Sequence, residues 1–151
     1  MRPDGKIYRI MDANANRARE GLRVVEEYLR LALDNADFTM RLKGLRHRIT
    51  EVIASMRIEE QFIMARRSDA DVGSGDAVGA EATRADFGHV VTANLRRTQE
   101  ALRVLEEYSK LVSAEASDEF KRMRFETYTL ERDIRLNAGR EHTAKGGHDP
   151  C

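Results

Sequence analysis

Two short segments of the chain place an amide, a guanidinium and a carboxylate at three-residue intervals. In a helix, side chains three residues apart lie on one face, so each segment presents the three groups together. The planar guanidinium of arginine donates two parallel hydrogen bonds to a phosphate, and carboxylate oxygens suit a divalent cation. The two sets are Asn14, Arg17 and Glu20, followed much later by Asn94, Arg97 and Glu100.

The segments that carry these residues are copies of one another. They read "ANANRAREGLRVVEEY" (13–28) and "ANLRRTQEALRVLEEY" (93–108), and ten of the seventeen positions in 12–28 and 92–108 are identical. Unrelated segments of ordinary composition would share about one. The similarity extends to "LKGLR" (42–46) and "FKRMR" (120–124). The sequence therefore predicts an internal duplication of a helix hairpin.

Four segments have the apolar period of helices, roughly residues 6–34, 37–67, 84–112 and 117–137. They predict one all-α domain over 1–137, a four-helix up-and-down bundle with pseudo-two-fold symmetry and repeats at about 6–67 and 84–137. The first helix of each repeat should lie close to its copy, or to that of a second subunit. A Gly/Asp-rich loop (66–86) joins the repeats, "DNAD" (34–37) should cap the second helix, and 138–151 should be a disordered tail. The expected inward residues of the second segment are Phe38, Leu42, Leu45, Ile49, Val52, Ile53, Met56, Phe62 and Ile63.

Composition argues against several classes of protein. Lys+Arg and Asp+Glu number 26 each, which argues against a nucleic-acid binder that uses a basic face. No apolar run is long enough to span a membrane, and the first twenty residues have no apolar signal core, so a cytoplasmic location is expected. The one cysteine, Cys151, and four scattered histidines offer neither a disulfide nor a zinc site.

A helical wheel of the first copy places most apolar residues on one broad arc. Asn14 and Arg17 fall inside this arc, and Glu20 lies at its edge. The arc consists of Ala18, Gly21, Leu22, Val24, Val25, Tyr28 and Leu29. The opposite side, expected to be solvated, carries Arg19, Arg23, Glu26 and Arg30. Of these, Arg23 should form a surface ion pair with Glu27, as should their copies Arg103 and Glu107.

Two interpretations of the repeated polar residues stay open, because burying an arginine is unfavourable unless an anion meets it. In the structural interpretation, Arg17 and Arg97 pair with Glu20 or Glu100, and the asparagines form hydrogen bonds at the helix packing. In the functional interpretation, a pocket at the pseudo-two-fold axis holds a phosphate between the arginines. The two glutamates would then face a metal ion or a ring amine.

The loop "SDADVGSGD" (68–76) is a second candidate site. Its acidic residues and glycines are Asp69, Asp71, Gly73, Gly75 and Asp76. Glycine allows backbone N–H groups to turn toward a phosphate, and a carboxylate can hold Mg²⁺. Arg66 and Arg67 precede the loop, and its length of about 20 residues is unusual within a compact bundle. The chain has no GxxxxGK[ST] motif, so an ordinary surface loop is the alternative.

Several segments resemble, in order, the helical domain that precedes the barrel of some bacterial thiamine phosphate synthases and also occurs alone. They are "RIMDANANRAREGLRVVEEYLR", "LRHRI", "DVGSG", "NLRRTQEALRVLEEYSKL" and "FETYTLE", covering about residues 9–132. The resemblance implies a hydroxymethylpyrimidine phosphate kinase unrelated to the ribokinase-like enzyme. It would use ATP to convert 4-amino-5-hydroxymethyl-2-methylpyrimidine phosphate to the diphosphate that thiamine phosphate synthase consumes.

The resemblance also implies roles for individual residues. The catalytic residues would be Arg17, Glu20, Arg97 and Glu100, and the residues that bind substrate or phosphate would be Asn14, Asn16, Asn94, Arg66, Gly73, Arg46 and Arg124. Mg²⁺ would be held by Asp71 and Asp12, with Glu20 or Glu100. This chain has Arg67 where the family's loop has an aspartate, which moves the expected metal ligand to Asp71.

The expected partners are ATP, a phosphorylated pyrimidine and thiamine phosphate synthase, and the broad apolar arc leaves room for a homodimer seam. Two other functions fit the sequence. One is a non-catalytic helical module that binds a phosphorylated pyrimidine or docks onto thiamine phosphate synthase. The other is a structural dimeric bundle whose inner arginines are ion-paired.

Overall fold

A computed structural model describes residues 4–75 and 83–144, and the surroundings of side chains up to residue 137. All regular structure in these ranges is helical, which confirms the predicted all-α class. The helices are α1 (Gly5–Glu27), α2 (Ala36–Met56), α3 (Glu59–Ala65), α4 (Phe87–Ser109) and α5 (Ala114–Ala144), with a π-helical turn (Tyr28–Ala32) after α1 and a 3-10 turn (Ser68–Ala70) after α3.

Three of the long helices begin at an acidic or amide side chain that caps a free backbone N–H group. The side chains of Asp4, Asn35 and Asp86 accept hydrogen bonds from the backbone N–H two or three residues later, at 3.0, 3.0 and 2.8 Å. The first N–H groups of a helix have no partner within the helix, so such a side chain stabilises its start. Asn35 lies in "DNAD", which confirms the predicted cap of the second helix.

The long helices pack in antiparallel pairs, because residue numbers run in opposite directions along each line of contact. Between α1 and α2, Arg19 contacts Thr50 and Arg46 contacts Glu26. Between α4 and α5, Gln99 contacts Glu131 and Arg124 contacts Glu106. Between α2 and α5, Arg41 contacts Asp133 and Arg48 contacts Glu126. Short α3 packs on α1. Each long helix therefore has two long neighbours once the contact of α1 with α4 is included.

Helices α1 and α4, which carry the two copies of the repeated segment, cross at equivalent positions. Thr98 Oγ1 donates a hydrogen bond to the carbonyl oxygen of Ala18 at 3.4 Å, and residue 98 is the copy of residue 18. Gly21 permits this approach, because a Cβ there would lie 2.5 Å from Thr98 Oγ1 and 2.8 Å from the Asn94 carbonyl oxygen. The predicted packing of the first helix of each repeat against its copy is confirmed.

The core is mainly aliphatic. Large side chains that are less than 2 % exposed come from all four long helices and include Met11, Leu22, Leu42, Ile49, Leu95, Leu102, Leu105, Phe120, Met123 and Leu130. Most of the residues predicted to point inward from the second segment are buried, and Val52 and Met56 are partly buried. Ile63 is 62 % exposed, so its predicted burial is wrong.

The second predicted segment is two helices rather than one. Arg57 ends α2 in the left-handed conformation, with a φ of 55°, and its N–H donates to the Ala54 carbonyl at 3.1 Å. The chain changes direction there, so Phe62 of α3 points into the core while Ile63 points outward. An arginine rarely adopts a positive φ, so the sequence around Arg57 does not predict a break.

Helix α5 continues to Ala144, past residue 138 where the predicted tail begins. Residues 145–151 of that tail lie outside the described residues, as do residues 76–82 of the predicted loop, which include Asp76. Within 4–75 and 83–144, no helix has both the length and the apolar character needed to cross a membrane.

Candidate functional site

Arg17 and Arg97 are both exposed, and each immediately precedes a residue at the crossing of α1 and α4. Their predicted place inside the apolar arc is therefore wrong. The buried side of α1 is rotated from the predicted arc, since Glu26 is only 2 % exposed while Val24 is 40 % exposed. The reason is tertiary: α2 covers the flank that contains Glu26, and the edge that contains Val24 and Arg17 is left open.

Neither guanidinium is neutralised within the described part of the chain. Arg17 and Arg97 form no ion pair or side-chain hydrogen bond with any described residue, and Glu20 and Glu100, one turn further on, are exposed and also lack ion pairs there. The structural interpretation, in which these arginines pair with these glutamates, is not what the structure shows. Two unpaired cations close to one helix crossing favour the binding of an anion.

Asn14 and Asn94 make the same contact in the two repeats. The side-chain amide of each donates to the backbone carbonyl four residues earlier, Asn14 to Ile10 at 2.9 Å and Asn94 to Val90 at 2.8 Å. Asn14 is buried, at 6 % exposure. Both bonds stay within one helix and do not link packed helices, and the role of the asparagines in orienting a substrate stays a prediction.

A polar cluster forms where the predicted loop begins against α1. Arg66 donates from Nε and Nη2 to the two carboxylate oxygens of Asp12, at 2.8 and 2.7 Å, the bidentate geometry in which this pair is strongest. Asn16 donates to Asp12 at 3.3 Å, and Arg19 donates to Asn16 at 2.9 Å and to Thr50 at 3.2 Å. Three of the predicted site residues, Asp12, Asn16 and Arg66, are therefore brought together.

The charges of this cluster affect one another. Hydrogen bonding to Asp12 raises the pKa of Arg66 above its ordinary value. Burial lowers the pKa of Arg19, and the nearby charge of Arg66 lowers it further, against the opposing effects of Asp12 and Glu20. The guanidinium of Arg66 already contacts both Asp12 oxygens, so a cation at Asp12 would compete with it for the carboxylate charge. The predicted metal role of Asp12 stays a prediction.

The described part of the loop forms a local turn. Asp71 Oδ1 accepts from the backbone N–H of Gly73 at 3.0 Å, and the Asp71 carbonyl accepts from Ser74 Oγ at 2.9 Å. An aspartate often stabilises a turn in this way. In the part of the chain that the structure describes, no three His, Cys, Asp or Glu side chains converge as a metal site. Magnesium binding at Asp71 and phosphate binding at Gly73 stay predictions.

Each repeat contains a buried glutamate paired with an arginine. Glu26 is 2 % exposed and accepts from Arg46 Nε at 3.0 Å, and Glu106 is 4 % exposed and accepts from Arg124 Nε at 2.9 Å. The predicted solvent exposure of Glu26 is wrong, and the sequence analysis did not predict the pairing of either glutamate with its arginine. The sequence did contain a signal for these pairs, because both repeats have glutamate at the first position and arginine at the second. Arg46 and Arg124 here neutralise buried carboxylates, and their phosphate-binding role stays a prediction.

Surface ion pairs continue from these buried glutamates along the same helices. Arg23 pairs with Glu27 at 2.7 Å and Arg103 with Glu107 at 3.1 Å, which confirms both predicted pairs. Burial alone would lower the pKa of Arg124, but its hydrogen bonds with Glu106 and the Tyr128 side chain outweigh burial and raise this pKa.

The fold and these contacts define an all-helical protein in which two copies of one helical segment cross, each with a buried Glu–Arg pair beside it. The ThiD2 family matches residues 9–133, and the chain belongs to this family.

Curated relatives at about 40 % identity are named thiamine-phosphate synthase. The chain is 40 % identical over 132 residues to the protein of Thermosynechococcus vestitus, covering 87 % of this chain and 36 % of the relative. The protein of Nostoc punctiforme is 42 % identical over 128 residues, covering 85 % of this chain and 35 % of the relative. The protein of Rhodopirellula baltica is 41 % identical over 132 residues, covering 86 % of this chain and 34 % of the relative. The chain spans about a third of the length of these relatives. No solved structure matches it significantly.

Proposed function

We propose that this chain transfers a phosphate from ATP to 4-amino-5-hydroxymethyl-2-methylpyrimidine phosphate in thiamine biosynthesis. Membership of the ThiD2 family and relatives named thiamine-phosphate synthase support this context. The observation that carries the proposal is the pair Arg17 and Arg97, two exposed guanidinium groups beside one helix crossing without carboxylate partners among the described residues.

The proposal includes a four-helix up-and-down bundle of two hairpins related by an approximate two-fold axis. The contact of Ala18 with its copy Thr98 supports this arrangement. The repeated pairs of Glu26 with Arg46 and of Glu106 with Arg124 support it as well. Such an axis would place the arginine of one repeat near one of the two reacting phosphate groups and the arginine of the other repeat near the second.

In the proposed reaction, an oxygen of the substrate phosphate forms a bond to the γ-phosphorus of ATP while the bond to the β–γ bridging oxygen breaks, and ADP leaves. Catalysis of phosphoryl transfer is mainly positioning and charge neutralisation. Arg17 and Arg97 would hold the substrate phosphate and the γ-phosphate. Glu20 and Glu100 are exposed carboxylates free of ion pairs with described residues, a donor type that suits Mg²⁺, and either would hold it together with Asp71.

The test is incubation of the purified chain with Mg-ATP and the pyrimidine phosphate, measuring ADP and the pyrimidine diphosphate. Arg17→Ala and Arg97→Ala should each lower turnover about 100-fold or more, because a charged donor to the transferred group is lost. Both residues are exposed, so the melting temperatures should stay within about 2 °C of wild type. Arg30→Ala, an exposed arginine after α1, is the control and should keep the wild-type rate. Absence of ADP formation, or full activity of both variants, would refute the proposal.

A second candidate function is a non-catalytic module that docks onto thiamine phosphate synthase and delivers its substrate. The observation that favours this function is coverage, since the chain matches about a third of the length of each relative that bears the synthase name. This function predicts co-purification with the synthase and no consumption of ATP by the isolated chain.

A further inference from the structure

An open groove runs along the outer side of α4 and α5, in the second repeat. One part has a volume of about 500 Å³ and is lined by Arg96, Gln99, Glu100, Arg103, Arg124 and Tyr128. An adjoining part of about 590 Å³ shares Arg96, Gln99 and Tyr128 and extends to Leu136. These volumes lie in the range of small-molecule sites, roughly 300–1,000 Å³.

On the equivalent surface of the first repeat, polar side chains are hydrogen-bonded to one another. Arg19 donates to Asn16 at 2.9 Å and to Thr50 at 3.2 Å, so its guanidinium bridges α1 and α2. By the alignment of the repeats, Arg19 is the counterpart of Gln99, Asn16 of Arg96 and Thr50 of Tyr128. In the first repeat, Asn16 and Thr50 are therefore smaller than their counterparts, and Arg19 is hydrogen-bonded to both.

In the second repeat, the same positions leave the groove open. Gln99 Nε2 donates to Glu131 at 2.9 Å and forms no hydrogen bond with Arg96 or Tyr128. Arg96 is exposed and forms no ion pair or side-chain hydrogen bond with the residues described. Tyr128 is 44 % exposed. The two repeats thus differ at these three positions, which in the second repeat supply an unpaired cation and an accessible aromatic ring.

These side chains combine two kinds of recognition. An exposed tyrosine ring stacks on flat aromatic systems, and an unpaired guanidinium binds phosphate through a planar fork. Arg96 and Arg103 are two turns apart on α4, about 10.5 Å along the axis, and both line the groove together with Tyr128. Glu100, a predicted catalytic residue, lines the same groove and connects it to the helix that carries Arg97.

We propose that this groove binds a flat heteroaromatic ring that carries phosphate, with the ring against Tyr128 and the phosphate at Arg96. The inference rests on the proposed function, which requires two molecules of this chemistry, ATP and the pyrimidine phosphate. It adds a site on one repeat only, where the two repeats differ.

The experiment is titration calorimetry of the full chain with ADP and, separately, with the pyrimidine phosphate. Tyr128→Ala and Arg96→Ala should each weaken the binding of at least one ligand about tenfold or more, which is the usual effect of losing a stacked aromatic or a phosphate contact. The ligand affected identifies the occupant. Tyr128→Phe keeps the ring and should bind within about threefold of wild type. Arg30→Ala, outside the groove, is the matched control for lost positive charge.

Both altered side chains are exposed, and circular dichroism and melting temperature establish that each variant is folded. Wild-type affinity of both variants for both ligands would overturn the groove assignment, as would a wild-type chain that binds neither ligand. If the variants lose binding while the wild-type chain forms no ADP with the pyrimidine phosphate, the groove stands and the proposed kinase reaction fails. The two proposals therefore fail separately.

Discussion

Replacing Gly21 by alanine tests the contact that sets the distance between α1 and α4. The added Cβ would lie 2.5 Å from Thr98 Oγ1 and 2.8 Å from the carbonyl oxygen of Asn94, and real Cβ atoms essentially never come within 3.0 Å of such neighbours. The threonine side chain can rotate, but the carbonyl belongs to the backbone of α4. The helices must therefore move apart, and overpacking of this kind costs about 1–3 kcal/mol.

Gly44→Ala is a matched control on another helix. Gly44 lies within α2, and a Cβ there meets nothing within 4 Å. Both substitutions gain about 1 kcal/mol from the higher helix propensity of alanine, so this gain cancels when the variants are compared. The free energy of unfolding of Gly21→Ala should be lower than that of Gly44→Ala by about 1–3 kcal/mol. At roughly 2–4 °C per kcal/mol for a chain of this size, the difference in melting temperature is measurable.

Urea unfolding followed by far-ultraviolet circular dichroism measures this difference, with equal slopes of free energy against urea concentration as the condition for comparing midpoints. Adding Thr98→Ala to Gly21→Ala removes the closer of the two contacts and should recover part of the loss, a coupling that a double-mutant cycle quantifies. A Gly21→Ala variant as stable as Gly44→Ala would refute the close crossing of α1 and α4.

Two further predictions concern charges. Glu106→Gln removes the buried negative charge that Arg124 meets at 2.9 Å and should lower the free energy of unfolding by about 3 kcal/mol. The control, Glu107→Gln at an exposed position, should have a much smaller effect. Equal losses of unfolding free energy in the two variants, measured by urea unfolding, would contradict the role of the buried pair. A hydrogen bond from Arg132 helps to hold the pKa of Asp133 below its ordinary value of 3.8. A carboxyl group with a depressed pKa stabilises the fold above its unfolded pKa, and this contribution is lost as the pH falls through the folded pKa. Asp133→Asn should therefore reduce the drop in melting temperature between about pH 7 and about pH 3, and an unchanged drop would show that Asp133 contributes nothing to it.

Features that depend on near neighbours in the chain could be predicted from the sequence. The cap at Asn35 needs only the backbone N–H three residues later, and the pair of Arg23 with Glu27 needs only one helical turn. The end of α2 at Arg57 is also local, yet it was not predictable, because a left-handed arginine has no characteristic residue type. The 3.6-residue period continued across this break and placed Ile63 in the core, where it does not lie.

The candidate site shows the limit of a helical wheel. A wheel shows which face of a helix is apolar, but it does not show where the neighbouring helices lie. Helix α2 covers the flank of α1 that contains Glu26, and Arg46 reaches across from α2 to neutralise it. Arg17, near the opposite edge of the buried face, is left exposed. The face of α1 that is covered differs from the predicted arc by less than half a turn. This difference is enough to bury Glu26 and to leave Arg17 exposed, the reverse of the prediction.

The sequence by itself determined the helical class, the duplication and which charged and amide residues each repeat carries, because these depend only on residue types and their spacing. Only the tertiary structure decided which of those residues are already paired. Arg46 and Arg124 neutralise buried carboxylates, whereas Arg17 and Arg97 stay unpaired among the described residues. The physical reason is that the free energy of a charge depends on burial and on partners, and both are supplied by helices distant along the chain.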